Sequence, residues 1–186
     1  MSERISKQAY YLNIAEQVAQ RSTCLKYAFG AVIVRDDEIV ATGYNGAARG
    51  CNNCSDIGKC IRDKAGISST GERVELCRSV HAEMNAIISA GRKSALGGVL
   101  YLVGFDKRTG KYYSDCKPCE MCGRFIINAG ISKVVCRKGK DLDEVVDKYE
   151  LIKENNTMEQ SFTHLCEEEA EFMEDLENDK FARIDI

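Results

Sequence analysis

The chain has 186 residues, of which 44% are hydrophobic and 30% are charged. This length and composition are typical of one globular domain and exclude a disordered or fibrous protein. Acidic residues (29) slightly outnumber basic ones (26), so the net charge is −3 and a polynucleotide partner is disfavoured.

Residues 1–7 lack the apolar core of a signal peptide, and no apolar run approaches the length that spans a membrane. We therefore expect a cytoplasmic protein with no membrane partner. Ten cysteines need an explanation in such a chain. Their clustering in C-x-x-C patterns at 51–54 and 116–122 favours metal binding over the disulfide framework of a small secreted protein.

In chain order, apolar residues at helical spacing first predict a helix over residues 5–21. Two apolar runs then flank Asp36 and Asp37, a pattern that predicts a β-hairpin ending in the turn GYNG at 43–46. Residues 47–78 show no periodicity and include four cysteines. Because so long a structureless stretch is unusual inside a compact domain, we expect these cysteines to hold it together.

A second helix is predicted from Val80, with His81 and Glu83 in its first turn. A strand buried on both faces follows at 99–103. A third helix is predicted to begin at Pro118, because proline suits the first helical position.

The last predicted strand covers 134–136, and Cys136 within it is expected to be a small core residue. The alternation of helices and strands indicates an α/β fold whose later strands are mostly parallel. Heptad-like apolar spacing at 162–176, in an acidic stretch, predicts a C-terminal amphipathic helix. That helix would either dock on the domain or contact another subunit.

The most informative pattern is His81 and Glu83 followed by the run PCEMC at 118–122. An imidazole from His81 and thiolates from Cys119 and Cys122 suit Zn²⁺, and catalytic zinc sites typically use three protein ligands plus a water. Glu83 lies too close to His81 in the chain to bind the same ion comfortably, yet near enough to reach that water. The pattern therefore predicts a catalytic zinc site in which Glu83 moves protons.

Two other interpretations remain open for this pattern. Another cysteine could complete a closed four-ligand zinc knuckle, but this would leave Glu83 without a role. The spacing of Cys116, Cys119 and Cys122 is also similar to part of an iron–sulfur run, although the fourth Cys-Pro step is missing.

The zinc pattern resembles the H-x-E…P-C-x-x-C signature of zinc-dependent deaminases of cytosine or adenine. A closer resemblance, to the deoxycytidylate (dCMP) deaminases, is carried by HAEMNAI at 81–87, GYNG at 43–46, GAVIV at 30–34 and IINAGI at 126–131. It covers about residues 5–137.

The resemblance implies a three-layer α/β/α cytidine deaminase-like fold with a mixed five-stranded sheet. His81, Cys119 and Cys122 would bind the catalytic zinc. Glu83 would shuttle protons, and Asn45 would lie near the sugar of the substrate. The implied reaction is hydrolysis of dCMP to dUMP and ammonia for thymidylate synthesis. A hexamer, with dCTP as activator and dTTP as inhibitor, is also implied.

Some members of this family, including competence-operon and phage types, bind a second, structural zinc. By its offset from the GYNG turn, the resemblance implies Cys54 rather than Cys51 as a ligand. Cys24, Cys60 and Cys77 would complete the shell, and a closed Cys₄ shell is a recognised structural zinc type. The alternative is that these are unrelated reduced thiols.

The domain organisation follows from this resemblance for residues 5–137 and from the apolar spacing at 162–176 for the C-terminal part. Residues 1–140 would form the zinc deaminase domain, with a zinc-stapled insertion at 47–78. Residues 141–186 would form a helical extension packed on it. The chain departs from the family in a further insertion at 104–117, which borders the predicted site.

A nucleotide phosphate needs at least one cation, and Lys26, Arg49 and Arg92 are the candidates that the motif order places near the cleft. Other interpretations keep the zinc chemistry but take free cytidine, a tRNA adenosine or a riboflavin-pathway pyrimidine as substrate. A catalytically idle zinc-binding or DNA-uptake accessory protein is the alternative from a different functional class.

Overall fold

The computed structural model describes residues 4–67, 74–114, 116–139, 143–147 and 150–153. The helices and strands, in chain order, are α1 (Lys7–Ala19), β1 (Tyr27–Arg35), β2 (Glu38–Tyr44), β3 (Gly46–Ala47), α2 (Cys54–Ile57), α3 (Ile61–Lys64), β4 (Ser79–Val80), α4 (Ala82–Ala95), β5 (Val99–Asp106), α5 (Glu120–Ala129), β6 (Lys133–Arg137) and β7 (Asp143–Asp147). No helix in this part of the chain combines the length and apolar character needed to cross a membrane.

Five strands form one sheet in the order β2-β1-β5-β6-β7, and a two-stranded ribbon pairs β3 with β4. Within the large sheet only β5 and β6 run parallel, and the other neighbouring strands are antiparallel. The prediction of a mixed five-stranded sheet is confirmed. The two later strands that the sequence predicts, β5 and β6, run parallel as expected. The strand β7, which was not predicted, is antiparallel to β6, because the link from Arg137 to Asp143 is too short for the crossover of about a dozen residues that a parallel neighbour needs.

Helices cover both faces of this sheet, so the α/β/α layering is confirmed. On one face α1 buries Tyr11, Leu12 and Ala15 against strand residues such as Val32 and Val103. On the other face, α4 and α5 supply a second apolar cluster whose buried members include Ala82, Ala86, Ile126, Ala129, Leu100, Leu102 and Val134. The β5 and β6 residues in these clusters alternate between the two faces, as expected for strands buried on both sides.

The β1–β2 hairpin forms where the sequence predicts it. Asp36 and Asp37 have φ angles of 53° and 69°, so both residues adopt the left-handed conformation that a two-residue hairpin turn requires. The Tyr11 hydroxyl lies 2.7 Å from Asp37 Oδ1, which ties α1 to the turn. Donation to this carboxylate raises the pKa of Tyr11 to about 12.

The C-terminal segment differs from the prediction of a helical extension beginning at 141. Residues 143–147 form β7, which pairs with β6 along its whole length. Val145 and Val146 are β-branched and favour a strand over a helix at this sheet edge. The amphipathic helix predicted at 162–176 lies outside the described residues.

A close backbone contact fixes α4 on the sheet. A Cβ atom added at Gly43 of β2 would lie 2.3 Å from both the Ala82 carbonyl oxygen and the Ala86 amide nitrogen. Neither backbone atom can rotate away, so only glycine allows α4 to approach this strand. The side chain of Asn85 reinforces the contact by donating to the Tyr44 carbonyl at 2.8 Å.

We expect Gly43→Ala to lower the free energy of unfolding by about 1–3 kcal/mol, because the added methyl group forces α4 off β2. Urea unfolding would measure the change. Thr42→Ser, at an exposed neighbour on the same strand, is the matched control and should stay within about 0.5 kcal/mol of the parent. Equal midpoints for the two variants would contradict the packing argument.

Candidate active site

Two helices begin at the candidate site. His81 is the N-cap of α4 and Cys119 is the N-cap of α5, with ψ angles of 155° and 163° in the extended region. An N-cap side chain usually binds the backbone of its own helix, but neither of these does. Both side chains are therefore directed to each other rather than used as caps. The sequence predicts that His81 lies in the first turn of its helix, whereas in the structure α4 starts one residue later, at Ala82. The next helix was predicted to start at Pro118, and α5 starts at Glu120.

The geometry of these side chains fits a zinc ion. His81 Nδ1 lies 3.5 Å from Cys119 Sγ and 3.4 Å from Cys122 Sγ. A tetrahedral zinc ion with usual bond lengths would separate a nitrogen ligand from a sulfur ligand by about 3.6 Å. Over the described residues, this trio is the one set of histidine, cysteine and acidic side chains whose ligand atoms all lie within 4.8 Å of one another. Among the residues that the structure describes, no fourth side chain joins the trio, which disfavours a closed zinc knuckle.

The two cysteines of the trio perturb each other's pKa values. The Cys122 thiol donates to Cys119 and lowers the pKa of Cys119 to about 4, while the same hydrogen bond raises the pKa of Cys122. The hydrogen bond to Cys119 also raises the pKa of His81. A cation bound by the trio would stabilise the thiolate forms of both cysteines.

Cys116 does not join its two neighbours. It is fully buried in the core, as is Cys136, to which it is hydrogen-bonded. The structure therefore gives no support to an iron–sulfur arrangement of the three cysteines, and it places Cys136 in the core as expected.

Glu83 lies in the first turn of α4 and is only 4% exposed. Burial raises the pKa of its carboxyl group, because the charged form loses contact with water. A carboxyl group whose pKa is raised in this way is suited both to accept a proton and to return it. It does not belong to the metal-ligand trio.

Glu83, His81 and Cys119 border one cavity of about 250 Å³. The other residues that line it are Cys24, Tyr27, Phe29, Asn45, Arg62, Cys77, Ser79, Ala82, Tyr113 and Lys117. The wall combines aromatic rings with polar and basic groups, as ligand pockets usually do.

Asn45 lies in this lining, but its side chain also holds the backbone. Its Oδ1 accepts from the Phe29 amide at 2.8 Å, and its Nδ2 donates to the Tyr27 carbonyl at 3.0 Å. The side chain thus continues the pairing between β1 and β2 beyond the end of the strand. Asn45 borders the cavity, and its contact with the sugar of a substrate stays a prediction, while its backbone role was not foreseen.

The three cations that the sequence suggested do not line this cavity. Lys26 pairs with Asp63, and Arg49 borders a separate cleft. Arg92 lies near the other end of α4 and donates to the Asn128 carbonyl at 3.0 Å.

The cations that do line the cavity are Arg62, from α3, and Lys117, from the insertion before Pro118. Sequence reasoning missed both, together with the aromatic side chain of Tyr113. Tyr113 and Lys117 could have been found from the sequence, because both lie in the insertion at 104–117 that borders the predicted site.

The second cysteine group is looser than the His81 trio. Burial raises the pKa of the Cys54 thiol, and the nearby thiols of Cys24, Cys77 and Cys60 add to the shift. Cys51, the alternative ligand, is exposed and is not among these neighbours. The four thiols lie near one another without forming a set as compact as the trio.

Comparison with known proteins agrees with this geometry. A sequence profile described as the cytidine and deoxycytidylate deaminase zinc-binding region matches residues 5–138. The deoxycytidylate deaminase of Schizosaccharomyces pombe is 35% identical over 140 residues, covering 75% of this chain but only 39% of the yeast protein. The deoxycytidylate deaminase of Mycobacterium phage D29 is 35% identical over 130 residues, covering 69% of this chain and 92% of the phage protein.

One solved structure extends the comparison to the fold. The dCMP deaminase from the cyanophage S-TIM5, determined in complex with dCMP and dUMP, matches with a TM-score of 0.51 and 26% identity. The match covers 72% of this chain and 84% of the cyanophage chain. With residues 5–138 matched by the profile and these relatives beside it, the chain belongs to the cytidine and deoxycytidylate deaminase family.

Proposed function

We propose that the protein catalyses the zinc-dependent hydrolytic deamination of dCMP to dUMP and ammonia, a step that supplies thymidylate synthesis. The observation that carries the proposal is the buried carboxyl group of Glu83 beside the His81, Cys119 and Cys122 trio in one cavity. The cyanophage relative, which was solved with dCMP and dUMP, supports this choice of substrate.

His81, Cys119 and Cys122 would hold the zinc ion. When bound, zinc supplies Lewis-acid activation of water at neutral pH. The positive ends of the α4 and α5 dipoles favour the thiolate forms of the two cysteines.

Glu83 supplies the proton transfers that deamination needs. Water must lose a proton as its oxygen attacks C4 of the cytosine ring, and the ring nitrogen N3 must gain one. The amino group must then leave as ammonia, because an amide anion is too poor a leaving group. One carboxyl group that takes a proton and returns it can serve all three steps, and its raised pKa suits the return.

Other substrates remain outcomes of the same assay. Free cytidine, a tRNA adenosine or a riboflavin-pathway pyrimidine would use the same zinc chemistry, and the net charge of −3 disfavours the tRNA. A catalytically idle accessory protein would not need a buried carboxyl group beside three metal ligands.

The test of this function is ammonia release from dCMP by the wild-type protein and by Glu83→Gln. We expect the variant to keep its zinc but to lose about 10²–10⁴-fold in kcat, because the amide cannot move protons. Metal content and turnover should be measured on the same preparation. Near-normal turnover by Glu83→Gln would remove Glu83 from the mechanism, and a wild-type protein that releases no ammonia from dCMP would contradict the proposal.

Arg62 and Lys117 are proposed to bind the substrate phosphate, because they are the basic side chains in the cavity lining. We expect Lys117→Met to lower kcat/KM for dCMP by about 10- to 100-fold, the value of one charged hydrogen bond. Activity on deoxycytidine should be low in the wild type and change little. Lys111→Met, at an exposed lysine of the same insertion, is the matched control. Equal use of dCMP and deoxycytidine by the wild type would rule out a nucleotide-specific site.

A second, structural zinc held by Cys24, Cys54, Cys60 and Cys77 is also proposed. The proximity of the other three thiols to Cys54 supports it, as does the Lys26 amide, which donates to Cys24 Sγ at 3.5 Å. Binding would bring neighbouring sulfur atoms to about 3.8 Å from one another.

We expect metal analysis of the wild type to find two zinc ions per chain. Cys54→Ser should lose one of them and lower the thermal midpoint, because the loop that contains α2 and α3 would lose its cross-link. Cys51→Ser is the matched control and should keep both ions. One zinc per wild-type chain would contradict the second site.

We further propose that the protein forms a hexamer that dCTP activates and dTTP inhibits. A separate polar cleft of about 320 Å³, lined by Arg21 and Arg49 among others, offers cations for a triphosphate. Exposed apolar side chains on α4 and α5, including Ile88 and Phe125, suit subunit contacts. Initial rates with each triphosphate and the mass in solution would test both ideas.

Location and domain organisation stay predictions. The cysteines within the described residues are all free thiols, which favours the reducing cytoplasm. Pairing of β7 with β6 supports an extension that packs on the domain of residues 1–140.

A further inference from the structure

The insertion at 104–117 folds as a hairpin that returns to the candidate site. Its turn is closed by the Gly110 amide, which donates to the Asp106 carbonyl at 2.8 Å. Tyr112 then pairs with Phe105, and the Tyr113 amide donates to the Gly104 carbonyl at 2.8 Å. The position of Tyr113 is therefore set by backbone hydrogen bonds to β5.

Tyr113 completes an aromatic wall in the cavity that contains Glu83. Its ring centroid lies 5.8 Å from that of Tyr27 and 5.9 Å from that of Phe29, with interplanar angles of 68° and 70°. All three rings line the cavity. A Cβ atom at Gly104 would lie 2.2 Å from Phe29 Cε1, so the first residue of the insertion must be glycine for Phe29 to lie here.

A lysine holds this hairpin in place from outside the cavity. Lys107 Nζ donates to the Ser22 and Cys24 carbonyls at 3.2 and 3.0 Å, and its amide donates to the Lys26 carbonyl at 2.8 Å. The loop that accepts these bonds contributes Cys24 to the same cavity. Lys107 therefore joins two segments of the cavity wall without lining it.

We propose that Tyr113 is a substrate-binding residue whose ring packs against the pyrimidine base of the substrate, and that Lys107 is its positioning residue. This rests on the proposed deamination of a cytosine nucleotide. A ring that packs edge-on against two other rings offers a rigid apolar surface to a planar base. Tyr113 is thus proposed to contribute binding energy through the base, whereas Lys117 is proposed to contribute it through the phosphate.

The experiment compares KM and kcat of the wild type, Tyr113→Ala and Tyr113→Phe on dCMP and on deoxycytidine. Tyr113→Ala should raise KM about tenfold on both substrates, as expected for loss of one ring–base contact, with kcat within about twofold. The ratio of kcat/KM between the two substrates should therefore stay constant, unlike in Lys117→Met. Tyr113→Phe keeps the ring and should recover most of the lost affinity.

Lys107→Met should raise KM, as Tyr113→Ala does, because Tyr113 would lose its support. Lys111→Met, on the same hairpin, should leave KM unchanged. Thermal midpoints separate these effects from general destabilisation, which would lower kcat and stability together. An unchanged KM in Tyr113→Ala, or a loss confined to kcat, would overturn the inference alone. A wild type that is inactive on both substrates would overturn the proposed function together with it.

Discussion

The contact of α4 with the β2 backbone at Gly43 is the constraint on which the candidate site depends. Because no side chain separates the helix from the strand, the first turn of α4 and the end of β2 are held at a fixed distance. His81 and Glu83 belong to that end of α4, and α5 packs beside it with Cys119 and Cys122. The GYNG turn and the HAEMNAI run therefore depend on each other for packing, because Gly43 of the first lies against the backbone of the second. The second run also contains His81 and Glu83 of the site.

The electrostatics of the site favour a bound metal ion, and this argument does not depend on the distances between the ligand atoms. Two thiols and a carboxyl group lie close to one another, although Cys119 is exposed and Cys122 and Glu83 are buried. The interaction between Cys119 and Cys122 lowers the pKa of Cys119 and raises that of Cys122. Burial opposes ionisation of Glu83 at the same time. A divalent cation would remove this conflict, because it stabilises both thiolates and reduces the cost of a third negative charge.

Local patterns made most of the fold predictable. The Asp36–Asp37 turn, the apolar run of β5 and the helical periodicity of α1 depend on neighbours in sequence, so the hairpin, strand and helix could be read directly. The metal-ligand trio could be proposed from spacing because its residues lie at two helix starts. The predicted starts of α4 and α5 differ by one or two residues from the observed ones, because their N-cap positions hold His81 and Cys119 rather than the Ser, Thr, Asp or Asn that usually marks a helix start.

The positions of residues that reach the site through distant parts of the chain could not be predicted from local patterns. Tyr113 reaches the cavity only because a hairpin turns the chain back along β5, and Arg62 reaches it through a short helix in a segment without periodicity. The direction of β7 depends on the length of the preceding loop rather than on its own residues.

The separation of the two halves of the site has a consequence for the unfolded chain. His81 and Cys119 are 38 positions apart, and β5, the central strand of the sheet, lies between them. A metal ion that stayed bound to both would close this segment into a loop and remove conformational entropy from the unfolded state, by about 4 kcal/mol on a chain-entropy estimate for a cross-link of this span. The ion would then stabilise the fold as a disulfide bond does, by restricting the unfolded chain rather than by adding contacts to the folded one.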